Sequence, residues 1–432
     1  MSARAGLSAA LALSALISCG ESDSDTQLGP KDAGGGSSTG GAAGGAPSDS
    51  GTDASGGTDA GGGNDAGGGN DAGDGATGLP RLGVFTVKVD GSKLELLIDT
   101  GGKQLTHVRK GPGDWLTATR YNEDSDKNGL AMEGEGGTEP HYGGTEIVLL
   151  QRQSPGAITA IAGGTPGRLC ANSSFTQDGK LLYLHQDDPA NAARPRFKRA
   201  TFSTLPSVAS TSVVDVPAEL FPVDPYQSGN SDGSGFIVFP AIFQHPTGFM
   251  RPIWQMPATG TTKVSDVKVV GCPLCPANNG CCAFPTLGAV IGTNDPIVHP
   301  QGSHVAWMQQ EADLSFPVGS TKVHPYRQSV AQLGKPQTNI SPASTPPTTI
   351  QSYMQWRPDG GELVYWEIQI DFSAGIVKQP LFRMAPDGSG RQALPLPPDL
   401  CASHPSYLDQ ETIIFSGWRC GGSPCSCAAD KL

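Results

Sequence analysis

A short pattern returns along this chain, and it limits the fold more than any other feature. Phe175-Thr176-Gln177-Asp178-Gly179-Lys180-Leu181-Leu182-Tyr183 is an aromatic residue, a turn and an apolar strand. Trp356-Arg357-Pro358-Asp359-Gly360-Gly361-Glu362-Leu363-Val364-Tyr365 repeats it with one more residue. Val298-His299-Pro300-Gln301-Gly302-Ser303-His304-Val305-Ala306-Trp307 is a third copy, and Ser231-Asp232-Gly233-Ser234-Gly235-Phe236-Ile237-Val238-Phe239 a fourth. Tyr407-Leu408-Asp409-Gln410-Glu411-Thr412-Ile413-Ile414-Phe415 is a degenerate fifth. A spacing of about 50 to 70 residues suits one four-stranded propeller blade with its loops. From Leu82 onward, short β-branched and aromatic runs alternate with Gly, Pro, Asp and Ser clusters, and long 3.6-period segments are lacking. The fold class read from this pattern is all-β, built from many short strands.

A second element recurs between these copies. Phe85-Thr86-Val87-Lys88-Val89-Asp90-Gly91-Ser92 matches Leu381-Phe382-Arg383-Met384-Ala385-Pro386-Asp387-Gly388-Ser389-Gly390, each an apolar strand entering an Asp-Gly turn. Gly accepts positive φ there, and Asp tolerates it while bonding nearby backbone. The Pro-Asp-Gly turn, the apolar strand and the Asp-Gly-Ser hairpin together resemble the WD-type repeat of TolB-like β-propellers, over roughly residues 82 to 419. The best copies are at Pro358-Asp359-Gly360 and Gln177-Asp178-Gly179; the first blade, around Trp115 to Leu150, is barely legible. TolB carries an α/β domain ahead of its propeller, where this chain has a Gly- and Asp-rich stretch. About 340 residues in blades of about 55 predict a six-bladed β-propeller, with seven blades as the alternative. The Phe85 strand is expected to complete the last blade, closing the ring and removing exposed edges.

The N-terminus reads as an address. Arg4 precedes the apolar run Leu7 to Ile17, and Leu16-Ile17-Ser18-Cys19 has the form of a bacterial lipobox. The run is shorter than the roughly 20 residues a spanning helix needs, so it is the apolar region of a secretory signal. Residues 1–18 are expected to be a lipoprotein signal peptide, and Cys19 the lipidated residue that holds the chain to a membrane. An incidental cysteine behind an ordinary cleavable signal is the alternative. Gly20 rather than Asp follows Cys19, which in the enterobacterial sorting pattern favours the outer membrane.

Residues 19–78 are Gly, Ala, Ser and Asp with almost no large apolar side chain. Such a segment cannot bury enough surface to offset its ordering entropy. It is expected to be a disordered stalk with an r.m.s. span on the order of 40 Å. Asp53, Asp59, Asp65 and Asp71 recur every six residues, but a calcium-binding β-roll also needs apolar core residues, and a solvated spacer is the simpler reading. The stalk holds ten acidic residues against one lysine, so of the formal charge of −12 only −4 belongs to the part from Leu79 onward. No basic stripe is present, which argues against a nucleic-acid partner.

Cys19 leaves nine other cysteines: Cys170, Cys272, Cys275, Cys281, Cys282, Cys401, Cys420, Cys425 and Cys427. Outside the inner membrane they are expected to form structural disulfides. Zinc held by the Cys272–Cys282 loop and a redox Cys-x-x-Cys are the alternatives. Leu169-Cys170-Ala171 and Leu400-Cys401-Ala402 stand eight residues before Asp178 and Asp409, counted from the cysteine, and are expected in loops on one rim.

No catalytic constellation of comparable strength follows. Gly229-Asn230-Ser231-Asp232-Gly233 matches G-x-S-x-G, but a nucleophile elbow needs a strand before it and a helix after it, and here the motif is a blade turn. His299 and His404 each precede Pro near a blade start, His304 follows His299, and His141 and His245 lie in loops. Converging blade-start loops could make a His metal site, as in some propeller lyases; exposed or hydrogen-bonded loop histidines are the plainer reading. Trp307, Trp356, Trp366 and Trp418 are expected to pack between blades rather than to form a ligand-stacking face. The expected function is a lipid-anchored cell-envelope binding or scaffold protein, with a protein or glycan ligand at one face of the ring, no cofactor and no catalytic residues. The alternative is an envelope polysaccharide lyase or hydrolase with a metal in the channel.

Overall fold

The computed structural model describes residues 82–124, 127–133, 144–188, 191–222, 226–227, 232, 234–245, 248–272, 281, 293–311, 322–329, 337–341, 349–371, 373–420 and 425–427. Cys19 and the segments expected to be a signal peptide and a stalk lie outside them.

The described chain forms six antiparallel sheets arranged as the blades of a β-propeller. The first two strands, β1 (Leu82–Lys88) and β2 (Glu95–Asp99), belong to the last blade. Blade one is β3 (Leu105–Lys110), β4 (Trp115–Arg120), β5 (Glu146–Gln151) and β6 (Ser154–Gly163). Blade two is β7 (Cys170–Phe175), β8 (Leu181–Asp188), β9 (Asn191–Thr204) and β10 (Ser207–Val214). Blade three begins with the short β11 (Leu220–Pro222) and β12 (Tyr226–Gln227), both paired to β13 (Phe236–His245). It continues through β14 (Gly248–Met250), β15 (Ile253–Pro257) and β16 (Lys268–Gly271). Blade four is β17 (Thr293–Val298), β18 (His304–Glu311), β19 (Lys322–Ser329) and β20 (Thr338–Asn339). Blade five holds β21 (Thr349–Trp356), β22 (Leu363–Asp371), β23 (Ile376–Lys378), β24 (Leu381–Met384) and β25 (Gln392–Ala393). Blade six joins β26 (Leu400–Tyr407) and β27 (Thr412–Arg419) to β1 and β2.

The two sequence repeats fall at fixed places in the blades. The first is the turn between the first and second strands. There the Asp carboxylate accepts from the backbone N–H two residues on: Lys180 to Asp178, Ser234 to Asp232, Gly361 to Asp359 and Glu411 to Asp409. The second repeat is the hairpin between third and fourth strands. Ser92 and Ser389 each donate N–H at 2.9 Å to Asp90 and Asp387, and Gly91 and Gly388 take φ of 82° and 85°. One turn chemistry at equivalent positions is why the repeat survives where other residues have diverged.

Ring closure is the expected one. β1 pairs with β27 from Leu82↔Trp418 to Lys88↔Thr412, and the Phe85 ring stacks on Phe415 at 5.7 Å. Val84, Phe85 and Val87 are fully buried. The core lies between blades. Trp307 is wholly buried, and its indole occupies the space a side chain at Gly271 of the preceding blade would need. Trp356, Trp366 and Trp418 are buried as well, in keeping with the packing role expected of them.

Candidate functional site

The first strands of neighbouring blades touch in a closed ring, β26 to β3, β7, β12, β17, β21 and back to β26. Five of these strands carry the same irregularity. The register against the second strand slips between Thr106 and Arg109, Ala171 and Ser174, Asn294 and Ile297, Ser352 and Met354, and Ser403 and Ser406. At each slip sits a non-glycine residue with positive φ: His107 (51°), Asn172 (54°), Asp295 (47°), Tyr353 (35°) and His404 (49°). An extra residue in a strand bends it and re-aims the side chain. A left-handed backbone at Asn, Asp or His is uncommon, and at Tyr it is a true outlier. Such conformations cost on the order of 1–3 kcal/mol each and gather at functional sites.

The bulged side chains meet across blades. The His107 ring lies 4.3 Å from His404 and 5.0 Å from Tyr353, and Tyr353 lies 5.1 Å from His404. The Trp366 indole borders His404 at 5.6 Å. Arg109, two residues past His107, donates Nε–H to the Tyr353 hydroxyl at 2.9 Å and Nη1–H to the Ser173 carbonyl at 3.1 Å. Gln355 donates to the same hydroxyl at 3.0 Å. The segment 127–133 between β4 and β5 supplies an acid. Ala131 N–H donates to Gly102 O at 2.7 Å, Gln104 N–H to Ala131 O at 2.9 Å and Glu133 N–H to the Gln104 side chain at 2.8 Å. These bonds bring Glu133 Oε2 to 3.4 Å from His404 Nε2.

Burial sets the protonation. It pushes His404 down to about 3, aided by the Arg109 charge. It holds His107 well below the usual range, with the His404 and Arg109 charges adding to the effect. Both rings are therefore neutral at pH 7, and the Glu133–His404 contact sets a neutral imidazole against the Glu133 carboxyl group. On its other side His404 Nδ1 shares a hydrogen bond with Ser403 Oγ at 3.1 Å. Burial also raises the Tyr353 phenol, which stays protonated; nearby Asp295 pushes the same way. Tyr353 oxygen accepts two hydrogen bonds, and among the described residues its own hydrogen has no acceptor. The Trp366 indole N–H is likewise buried without a partner. Among the described residues the centre thus holds the Arg109 cation, two neutral imidazoles, the Glu133 carboxyl group and two unspent donors.

The blade-start grouping of histidines is corrected here. His404 lies inside β26 and faces the ring centre, whereas His299 lies past the end of β17. The His299 ring packs on Trp356 at 4.8 Å and on His304 at 6.0 Å. His141, and the side chain of His245, fall outside the described residues. Of the G-x-S-x-G stretch only Asp232 is described, where it forms a blade turn. Among the described residues no group of three or more His, Cys, Asp or Glu is placed to hold a metal ion.

Disulfides join Cys272 to Cys281, Cys401 to Cys427 and Cys420 to Cys425. Cys275 and Cys282 lie outside the described residues. Cys170 is buried and belongs to none of these three bridges. Cys170 and Cys401 do occupy matching positions, but at the start of inner strands rather than in rim loops, because apolar flanks pair into β7 and β26. Cys427 N–H donates to Val377 O and Val377 N–H to Ser426 Oγ, so residues 425–427 pack on blade five while the Cys401 bridge holds blade six.

His107, Arg109, Glu133 and Tyr353 were not singled out in the sequence. The available signal was position: Asn172 and Tyr353 each stand six residues before the turn aspartate of their repeat, and His404 five.

No protein-family model and no curated protein sequence matches the chain. Solved structures resemble it in fold. A protein described as TolB from Agrobacterium tumefaciens is 12% identical with a TM-score of 0.49, covering 78% of this chain and 98% of its own. An oligogalacturonate lyase in complex with manganese is 15% identical with a TM-score of 0.40, covering 76% of each chain. The β-propeller domain of the Trilobed protease from Pyrococcus furiosus is 10% identical with a TM-score of 0.40, covering 75% of this chain and 80% of that one. Such likeness extends to the fold and no further; on its own strand order, the described chain is a disulfide-bonded six-bladed β-propeller.

Proposed function

We propose that this protein is a lipid-anchored binding module of the bacterial cell envelope, probing its surroundings from the end of an acidic stalk. The ligand is a protein segment or glycan whose oxygen acceptors reach the ring centre. Leu16-Ile17-Ser18-Cys19 supports the anchor, and the three disulfides suit an oxidising compartment outside the inner membrane. The observation that carries the binding reading is the pair of buried, unspent donors, the Tyr353 hydroxyl and the Trp366 indole, beside the Arg109 charge. A buried donor without a partner costs roughly 1–3 kcal/mol, which an accepting ligand would restore. Among the described residues no observation favours the metal-dependent alternative.

The test is retention of envelope proteins and purified envelope glycans by the full-length protein displayed on membranes. Tyr353→Phe keeps the ring and removes the donor, and is expected to weaken capture about tenfold. A ligand held equally by wild type and Tyr353→Phe would place the binding face elsewhere. Retention of nothing, with a stoichiometric metal in the purified protein, would turn the reading toward the enzyme.

A further inference from the structure

The outer strands of a propeller expose unpaired backbone, and most blades here blunt theirs. β2 carries Glu95 and Asp99, β16 carries Lys268, and β6 carries Pro155, Gly156 and Gly163. β20 and β25 are two residues long. Charge, proline, bulges and brevity are the usual protections of a sheet edge. β10, Ser207-Val208-Ala209-Ser210-Thr211-Ser212-Val213-Val214, has no charge and no proline, and bulges only at Ala209. It is eight residues long, the first seven are exposed, and Val208 and Val213 stand 37% and 47% open.

We propose that β10 is a docking edge for a second copy of this chain, the two β10 strands pairing antiparallel about a two-fold axis through Thr211. The strand reads almost the same in both directions. With Ala209 bulged out of the ladder, reversal about that axis sets Val208 against Val213 of the second copy, Ser210 against Ser212, and Thr211 against its own copy. A two-fold contact needs such self-complementarity, since one patch must serve both sides. The row across the joint is also sound. Val208 pairs with Phe202 and Val213 with Lys198 in β9, so the row runs Phe202, Val208, then Val213 and Lys198 of the second copy. Two exposed valines become a cross-strand pair, and each Lys198 faces an aromatic row rather than its own copy. β10 bulges at Ala209, and that extra residue is what keeps Val208 and Val213 on one face. The product is one continuous sheet of two blades, with main-chain hydrogen bonds supplying the affinity.

Sedimentation velocity of the full chain in detergent is expected to show a dimer, and Val213→Lys and Val208→Lys a monomer of unchanged circular dichroism. Register is read separately by disulfide cross-linking. Opposed residues lie about 5 Å apart at Cβ, while each valine is about 14 Å from its own copy. Val208→Cys mixed with Val213→Cys should therefore yield a cross-linked dimer absent from wild type and from either variant alone. A monomeric wild type, a dimer indifferent to both lysines, or equal cross-linking of the single variants would each overturn the proposal.

Discussion

His185 offers a test in which the packing and the titration are tied together. It sits on β8, opposite Ala171 of β7 and Phe197 of β9, and is 2% exposed. Its ring meets the Phe197 edge at 6.2 Å, and among the described residues neither ring nitrogen has a hydrogen-bond partner. Burial lowers its pKa from 6.5 to about 4. The unfolded chain therefore binds a proton near pH 6.5 that the native state refuses until about pH 4. The stabilisation is complete above pH 6.5 and is lost as pH falls through that window. At pH 5 the two pKa values give a loss of about 2 kcal/mol, rising to about 3 kcal/mol below pH 4. His185→Leu removes this loss. At pH 8 its cost is small, because two unsatisfied nitrogens leave the core with the ring. The assay is urea unfolding of both proteins at pH 8 and pH 5. His107 and His404 titrate in both, so the double difference isolates His185. A variant that loses as much stability as wild type between the two pH values would refute the reasoning.

Three further outcomes follow from the same residues. Cys19→Ala should move the protein from the membrane fraction to the soluble fraction; unchanged retention on fractionation would remove the anchor. Gly271→Val drives a side chain into the Trp307 indole and should destabilise by about 2 kcal/mol in urea titration, and a neutral result would mean the two blades can part without loss. The double variant Cys401→Ser, Cys427→Ser should lose about 2–4 kcal/mol against wild type under non-reducing conditions, and equal unfolding midpoints would show that blades five and six do not depend on the bridge.

Much of the architecture was legible because it rests on local chemistry. Asp178, Asp359 and Asp409 form the turns that their neighbours in sequence announce, and Asp90 and Asp387 mark a second hairpin at a second fixed place. The first blade was faint because its turn reads Pro112-Gly113-Asp114, with Gly and Asp in the reverse order, although β3 to β6 form an ordinary blade. The site was far less legible. Its members differ in type, with His, Asn, Asp, Tyr and His at the bulged positions, so residue identity offers no motif. His404 was noticed but grouped with His299, since both precede proline; strand register separates them.

The sequence by itself determined the repeat, its turns, the strand that closes the ring and the composition that sets residues 19–78 apart. These depend on interactions among neighbours in the chain, and each is written in a few adjacent letters. Only the tertiary structure decided that His107, Tyr353 and His404 touch, that Glu133 faces His404, and that Cys401 joins Cys427. Those contacts span up to about three hundred residues of chain and arise where six blades meet, after each bulge has turned its side chain toward the centre. A ring brings together what sequence distance keeps apart, and no pattern along the chain records that meeting.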